Sequence, residues 1–335
     1  AFTDVYVTQS GTILVSGRWG SARDSVDGHA CIFASDDMGA HWELRYDGFG
    51  LSELAGIRGE IKTMSLTELV PGALTASLLW VDRSEPELPF INESTQGLLP
   101  MRILHATSHD EGRTWSPYRI METAPHVAAS PCTCAVFRLP DGALCQPYEH
   151  WKEYRDSTRG HPGARLRLSR DEGENWSDLT VIARGKPRTR GYAEPALMEL
   201  DPGHLLCMLR VGNDPRAPLP GLFWQNESLD GGESWTTPKP MGIQSGACPR
   251  LLKLNDGRLL LTYGRRFEPF GLYASLSEDD GRTWSKTCWL LRKTPDGDQG
   301  YTSSIELEGD RIFTTSYAKN ARGTTGITGT FWSLP

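Results

Sequence analysis

The stretch Ser277-Glu278-Asp279-Asp280-Gly281-Arg282-Thr283-Trp284 decides the fold, because its pattern, Ser-x-Asp-x-Gly-x-x-Trp, recurs four more times in the 335-residue chain. The copies run from Ser35 to Trp42 (SDDMGAHW), Ser108 to Trp115 (SHDEGRTW), Ser169 to Trp176 (SRDEGENW) and Ser228 to Trp235 (SLDGGESW). Each has the chemistry of a tight turn. The Asp is able to bond its own backbone two residues on, the Gly tolerates positive φ, and the Trp is placed to fold back beneath the turn. Self-similarity at intervals of roughly 50 to 70 residues marks a propeller or an array. These boxes report architecture, so the chemistry is sought elsewhere.

A second repeat interleaves with the first: an apolar strand, a polar turn with Gly, and a second apolar strand. It occurs at Val5 to Gly17, Ser65 to Trp80, Ala135 to Glu149, Ala196 to Arg210, Arg250 to Arg266 and Ser304 to Tyr317, which makes six hairpins. In the first five, a further strand such as Leu272 to Leu276, the box, and a last strand such as Thr287 to Leu291 follow, and four strands per unit is one propeller blade. The sixth hairpin has no box; the chain ends on Ile327 to Leu334, a strand placed to close the ring. The expectation is an all-β fold: a six-bladed β-propeller of four-stranded antiparallel blades, with residues 1–335 as one domain. Two blades carry long insertions, Val81 to Arg102 and His150 to Ala164, and long loops in a compact fold often serve as lids or rims.

Composition narrows the partners. A net charge of −7 and a pI near 5.7 argue against nucleic acid and anionic membrane, both of which need a basic face. No apolar run approaches the roughly 18 residues of a membrane span. The opening AFTDVYVTQSG is strand-like and lacks a signal pattern, though a chain that starts on Ala leaves room for a removed leader or Met. Seven cysteines (Cys31, Cys132, Cys134, Cys145, Cys207, Cys248, Cys288) form an odd set without zinc spacing, mostly inside apolar strands. They favour a reducing, cytoplasmic compartment, with a secreted or periplasmic one open if a leader was removed. No cofactor or metal site is implied by spacing; calcium held by distant loop carboxylates stays open. Asn92, Asn175 and Asn226 open glycosylation triplets that carry little weight without secretory evidence.

In a propeller the innermost strand of each blade lines a central channel, so polar residues at the hairpin openings converge. Blade three offers Glu149; blade four Tyr192, Glu194 and Arg210; blade five Arg250 with Arg265 and Arg266; blade six Tyr301 and Tyr317. Arg265 and Arg266 are adjacent on a strand, so one at most faces the channel, and Arg266 is taken.

With these residues in place, the chain resembles the sialidase (neuraminidase) superfamily along its whole length. The resemblance is carried by the boxes, by GYAEPALMELDPGHLLCMLR (Gly191 to Arg210), and by GYTSSIEL (Gly300 to Leu307) after the last box. It implies Tyr301 as nucleophile, Glu194 as its activating base, and Arg210 as one of three arginines that clamp a substrate carboxylate. It further implies an acid/base Asp on a mobile loop of blade one, with Asp24 the first candidate and Asp27 the second. A carboxylate on the anomeric carbon would repel a carboxylate nucleophile, which explains why a Tyr serves, and a phenol with its ordinary pKa near 10 needs a base beside it. Arginine suits the clamp because its planar fork grips carboxylates at two points. Where the family carries Arg-Ile-Pro on the first strand, this chain has Ala1 to Asp4 (AFTD). The missing arginine lies upstream, or Arg18 replaces it, or the clamp is incomplete. Tyr317 stands where many sialidases have an acidic residue. The implied activity is retaining exo-hydrolysis of a sialoglycan or other acidic oligosaccharide. Two alternatives stay open: a propeller hydrolase or lyase for another acidic glycan, recasting Tyr192, Tyr301, His150 and Arg210, or a non-catalytic carbohydrate-binding propeller.

Overall fold

Six antiparallel sheets form a ring of blades in a computed structural model that describes residues 2–50, 53–131, 134–160, 162–177, 180–186, 191–212, 219–285 and 289–334. Ala1, Cys132, Thr287 and Cys288, named above, lie outside the described residues. The innermost strands are Asp4–Val7, Ile57–Val70, Ala128–Ser130, Tyr192–Asp201, Gly246–Lys253 and Gly300–Leu307; those of blades four, five, six and one pack on one another in turn, and blade three meets blade four through Leu144–Trp151. The six-bladed architecture is the one the repeats predict, with differences in strand count. Blades one, four and five have four strands, blades two and three have five, and blade six has three. In blade three the inner edge is split into Ala128–Ser130 and Phe137–Arg138, which pair with the two ends of Leu144–Trp151. Pro131, which has no N–H to give to a ladder, follows the first piece.

The chain's last strand, Thr325–Ser333, pairs only with Arg311–Lys319 inside blade six among the described residues. The ring therefore closes by side-chain packing rather than by a shared sheet. Val5, Ile13 and Val15 of blade one bury against Ile305, Leu307 and Phe313 of blade six.

The boxes explain how neighbouring blades adhere. In the last copy Ser277 Oγ donates to Asp279 Oδ1 at 2.9 Å and accepts the Gly281 N–H at 2.8 Å, while Asp279 Oδ1 accepts the Thr283 N–H at 2.8 Å. The Asp thus caps the backbone four residues on, not two. Residues 280 and 281 both take positive φ, which is why Gly stands at the second of them. The Trp that this turn presents packs on the preceding blade. Trp115 meets Phe49, Trp176 meets His105, and Trp42 stacks on Phe313 across the closure.

The two insertions dock on each other. Asn92 Nδ2 and Thr95 Oγ1 both donate to the Tyr154 carbonyl, at 2.9 and 2.7 Å, and the Leu98 N–H reaches the Lys152 carbonyl at 3.0 Å. Leu88, Phe90, Leu98 and Leu99 pack with Trp151 and Tyr154, giving a wall that rises beside the ring's open end. Among the described residues no helix is long and apolar enough to cross a membrane.

Candidate active site

At the end of the ring where the inner strands of blades four, five and six begin lies a cavity of about 910 Å³. Three inner strands share one irregularity near this end, and those of blades four and six reach the cavity through it. Pairing slips between Ala193 and Ala196, between Gly246 and Pro249, and between Gly300 and Ser303, leaving two residues unpaired on each inner strand. Such a bulge re-aims side chains. In blades four and six it turns Glu194 and Tyr301 into the cavity, and both hold left-handed backbone, φ 48° and 49°.

Tyr301 Oη donates a hydrogen bond to Glu194 Oε1, and Arg210 Nη1 donates to the same oxygen at 2.8 Å. Arg210 arrives from the second strand of blade four, where it pairs with Ala193. Burial lowers its affinity for the proton, but the Glu194 carboxylate and the Tyr301 phenol outweigh that and hold it charged. Glu149 lies buried beneath, accepting the Glu194 backbone N–H at 2.7 Å. Burial and then repulsion from the Glu194 carboxylate push it up to about 7.

Arg266 enters from blade five, its guanidinium 5.8 Å from the centre of the Tyr301 ring, donating to Tyr317 Oη at 3.0 Å and to the Gln299 carbonyl at 3.2 Å. Arg265 points elsewhere, to Gln244, as strand alternation requires. Tyr317 donates to Asp298 at 3.2 Å, and burial pushes its phenol up to about 12 against the pull of Arg266.

Blade one supplies the opposite wall. Arg18 faces the cavity, its two terminal nitrogens held by Glu60 at 2.6 Å and by the Ala22 and Ser25 carbonyls, both at 2.7 Å, while its buried Nε has no hydrogen-bond partner among the described residues. Asp24 faces the cavity from the loop after it, bonded to Lys62 Nζ at 2.5 Å and to Arg23 Nε at 3.0 Å. Burial pushes Asp24 up, yet these two cations outweigh it and hold the carboxyl below its ordinary value. Asp27 turns away to bond Ser21.

The structure therefore brings Tyr301, Glu194, Arg210, Glu149, Arg266, Tyr317, Arg18 and Asp24 around one cavity. Two candidates stand apart. Arg250 lies deeper in the ring, held by Asp4, with Ser303 Oγ 3.1 Å away. Tyr192 is packed in the core between blades three and four against Trp224. His150, stacked on His126 at 4.0 Å, is outside too, so the set named for elimination chemistry is not assembled.

Sequence reading missed several cavity residues. Phe2 occupies the first-strand position, edge-on to Tyr301 at 4.7 Å. Lys62 faces the cavity from blade two, and Trp19, 58 % exposed, stands at its lip with Trp151 and Phe90 nearby on the wall. Lys62 did leave a signal: Glu60 and Lys62 are charges two apart, flanking Ile61, in the buried part of the strand, and buried charges in strands need partners. Among the described residues no three His, Cys, Asp or Glu side chains gather as a metal site.

A family model described as a BNR repeat-like domain matches residues 79–313. No curated protein matches the chain. Among solved structures, a protein of unknown function from Dyadobacter fermentans is similar over 100 % of this chain and 94 % of its own, with 20 % identity and a TM-score of 0.79. A Hadza microbial sialidase is similar over 98 % of this chain and 65 % of its own, at 18 % identity and a TM-score of 0.71. An alpha-L-arabinanase from Penicillium chrysogenum, complexed with arabinobiose, is similar over 99 % of this chain and 92 % of its own, at 14 % identity and a TM-score of 0.69. At such identities the structural likeness is one of fold. The family match spans well over half of the sequence, and the chain belongs to the BNR repeat-like domain family.

Proposed function

We propose that this protein is a retaining glycoside hydrolase that releases a terminal sugar acid of sialic type through a covalent bond to Tyr301. The observation that carries the reading is the relay Tyr301–Glu194–Arg210 at the wall of a cavity that also presents Arg266, Arg18 and Lys62. As Tyr301 Oη attacks the anomeric carbon, its proton passes to Glu194 and the bond to the leaving oxygen breaks, with Asp24 delivering a proton to that oxygen. In the second half Asp24 takes a proton from water, the water oxygen displaces Tyr301, and Glu194 returns the proton to the phenol. Arg210 holds Glu194 in the orientation that receives the proton. Trp19 and Trp151 offer ring faces for the sugars at the mouth.

A second reading is favoured by Glu149. Two carboxyl groups meet in this cavity, one of them pushed up to about 7, and such a pair suits an ordinary glycosidase in which Glu149 is the acid and Glu194 the nucleophile. A neutral pentofuranoside, the sugar class in the arabinanase complex, fits that chemistry.

The test is turnover of the 4-methylumbelliferyl glycoside of N-acetylneuraminic acid beside that of 4-nitrophenyl α-L-arabinofuranoside, for the parent, Tyr301→Phe and Glu149→Gln. Release from the sialoside that Tyr301→Phe abolishes supports the first reading. Release only from the arabinofuranoside, lost in Glu149→Gln and largely kept in Tyr301→Phe, replaces it with the second. A well-folded parent that cleaves neither but binds glycans points to a lectin-like propeller.

A further inference from the structure

Five cations face the cavity: Arg18, Arg23, Lys62, Arg210 and Arg266. They differ in how firmly they are held. Arg18 is locked to Glu60, which is buried and also grips the buried Arg83 at 3.0 Å. Arg210 serves Glu194, and Arg266 is bound to Tyr317 and the Gln299 carbonyl. Arg23 is a largely exposed loop side chain.

Lys62 differs from all of these. It sits on a fourteen-residue strand at the register shift between Ile61 and Thr63, which aims it at the cavity, with its side chain buried and its ammonium 4.2 Å from the centre of the Phe90 ring. Its carboxylate partner Asp24 is placed differently: it sits on the irregular loop between Trp19 and His29, about a third of its side chain is open, and Arg23 Nε retains its other oxygen. An ammonium has three donors, and the described contacts of Lys62 use one on Asp24 and one, long at 3.4 Å, on the Arg23 carbonyl. The Lys62–Asp24 contact thus joins a buried strand cation to an exchangeable loop carboxylate, inside a cavity that opens to solvent.

We infer that Lys62 is the cation that recognises the substrate carboxylate, and that the carboxylate takes it over from Asp24, freeing Asp24 to hold the proton for the leaving group. The inference rests on the sugar-acid reading above and deepens it. In the resting site Asp24 is held ionised by Lys62 and Arg23, which is the wrong state for an acid. A bound carboxylate neutralises Lys62, removes the stronger of those two influences, and lets Asp24 take up a proton from solvent. The other charged groups around the pair are Glu60, Arg18, Arg83, Arg23 and Asp298. A neutral glycoside would leave Lys62 on Asp24 and the site unarmed.

The experiment compares 4-methylumbelliferyl N-acetylneuraminide with its methyl ester, using the full chain, Lys62→Met and Lys62→Arg, with melting curves for each. The parent is expected to prefer the free acid. Lys62→Met is expected to lose about 10- to 100-fold of kcat/KM on the acid, the scale of a charge-assisted hydrogen bond, and little on the ester; Lys62→Arg is expected to recover most of it. In Lys62→Met the basic limb of kcat/KM against pH should also move upward, because Asp24 without Lys62 stays protonated to higher pH. Asp24→Asn supplies a readout independent of turnover: with the competing carboxylate gone, N-acetylneuraminic acid should bind several-fold more tightly by calorimetry. Lys62→Met with an undiminished preference for the acid and an unmoved limb, or Asp24→Asn with unchanged or weaker binding, overturns the inference and leaves the glycosidase reading standing. A folded parent that cleaves arabinofuranosides and neither sialoside removes the reading and the inference together.

Discussion

Arg250→Met separates a structural arginine from a substrate-binding one. Arg250 donates to Asp4, a carboxylate only 3 % exposed, which also accepts Ser303 Oγ at 2.7 Å and the Leu66 N–H at 2.9 Å. One side-chain cluster therefore joins blades one, two, five and six at the closure of the ring. Removing one partner of a buried pair leaves a charge without compensation, at a cost of about 3 to 5 kcal/mol. Two hydrogen bonds remain on Asp4, so about 2 to 4 kcal/mol is expected for Arg250→Met, a fall in melting temperature of roughly 3 to 6 °C for a chain of this size. Urea unfolding of the parent, Arg250→Met, Asp4→Asn and the double variant measures it. Because the double variant leaves no orphaned carboxylate, it should be more stable than the two single losses sum to, by about 1 to 3 kcal/mol. An Arg250→Met protein with the parent's urea midpoint and a weakened affinity for sugar acids would refute this, and return Arg250 to the substrate clamp.

Three further outcomes follow from other sites. Glu149 is raised to about 7 in the folded chain, so below pH 4.5 it costs nothing, and as pH climbs through 7 its stability contribution falls by up to about 3 kcal/mol; Glu149→Gln should flatten that slope in pH-dependent unfolding. His126 and His150 have the opposite sign. Burial and the arginines Arg165 and Arg167 beside His126, and burial, Arg165 and His126 beside His150, depress them to about 4 and about 3. The unfolded chain therefore binds more protons, and stability is lost as pH falls below about 6.5, by at most about 2 kcal/mol from His150 at pH 5 and by less from the half-buried His126, which solvent screens; His150→Gln should reduce the loss. Gly39→Ala places a Cβ 2.3 Å from the Phe331 ring at a φ of +90°, so a loss of about 1 to 3 kcal/mol is expected in thermal melting, larger than for Gly257→Ala, where nothing lies within 4 Å.

The blades were legible because a propeller repeats its grammar. Box and hairpin each recur at fixed order, and every box Trp needs a neighbour to cover it, so the repeat itself announces a ring. Glu194, Arg210 and Tyr301 were legible because polar residues at strand openings have only the channel to face. What was lost has physical causes. The pairing of Tyr192 with the core follows from its place one residue before the bulge, and alternation alone does not say where a ladder slips. Arg250 sits beyond the bulge in blade five, which carries it down the channel to Asp4. Lys62 was overlooked because the second hairpin reads clearly only from Ser65, while the strand begins at Ile57. Phe2, far from Tyr301 in sequence, meets it only through ring closure, which leaves no local trace.

The bulges also explain why the inner strands of blades four and six present a carboxylate and a phenol to the cavity while that of blade five, between them, does not. All three inner strands slip at the same place, but at the slip blade five has Gly246, Ala247 and Cys248, whereas its neighbours have Glu194 and Tyr301. A left-handed φ is free for Gly246 and costs a non-glycine residue about 1 to 2 kcal/mol, so Glu194 and Tyr301 hold conformations that an unbulged strand would avoid. Small residues in blade five leave the span that Tyr301 crosses to reach Glu194; Cys248 packs against its ring, and the Ala247 methyl lies where a Cβ on Gly300 would touch it at 3.2 Å. A bulky side chain at Ala247 or Cys248 would therefore cut the relay without touching either member of it. Strain on the two flanking strands and emptiness on the middle one are a single arrangement: the backbone is bent out of register so that a phenol from one blade hydrogen-bonds a carboxylate from another at the wall of the cavity.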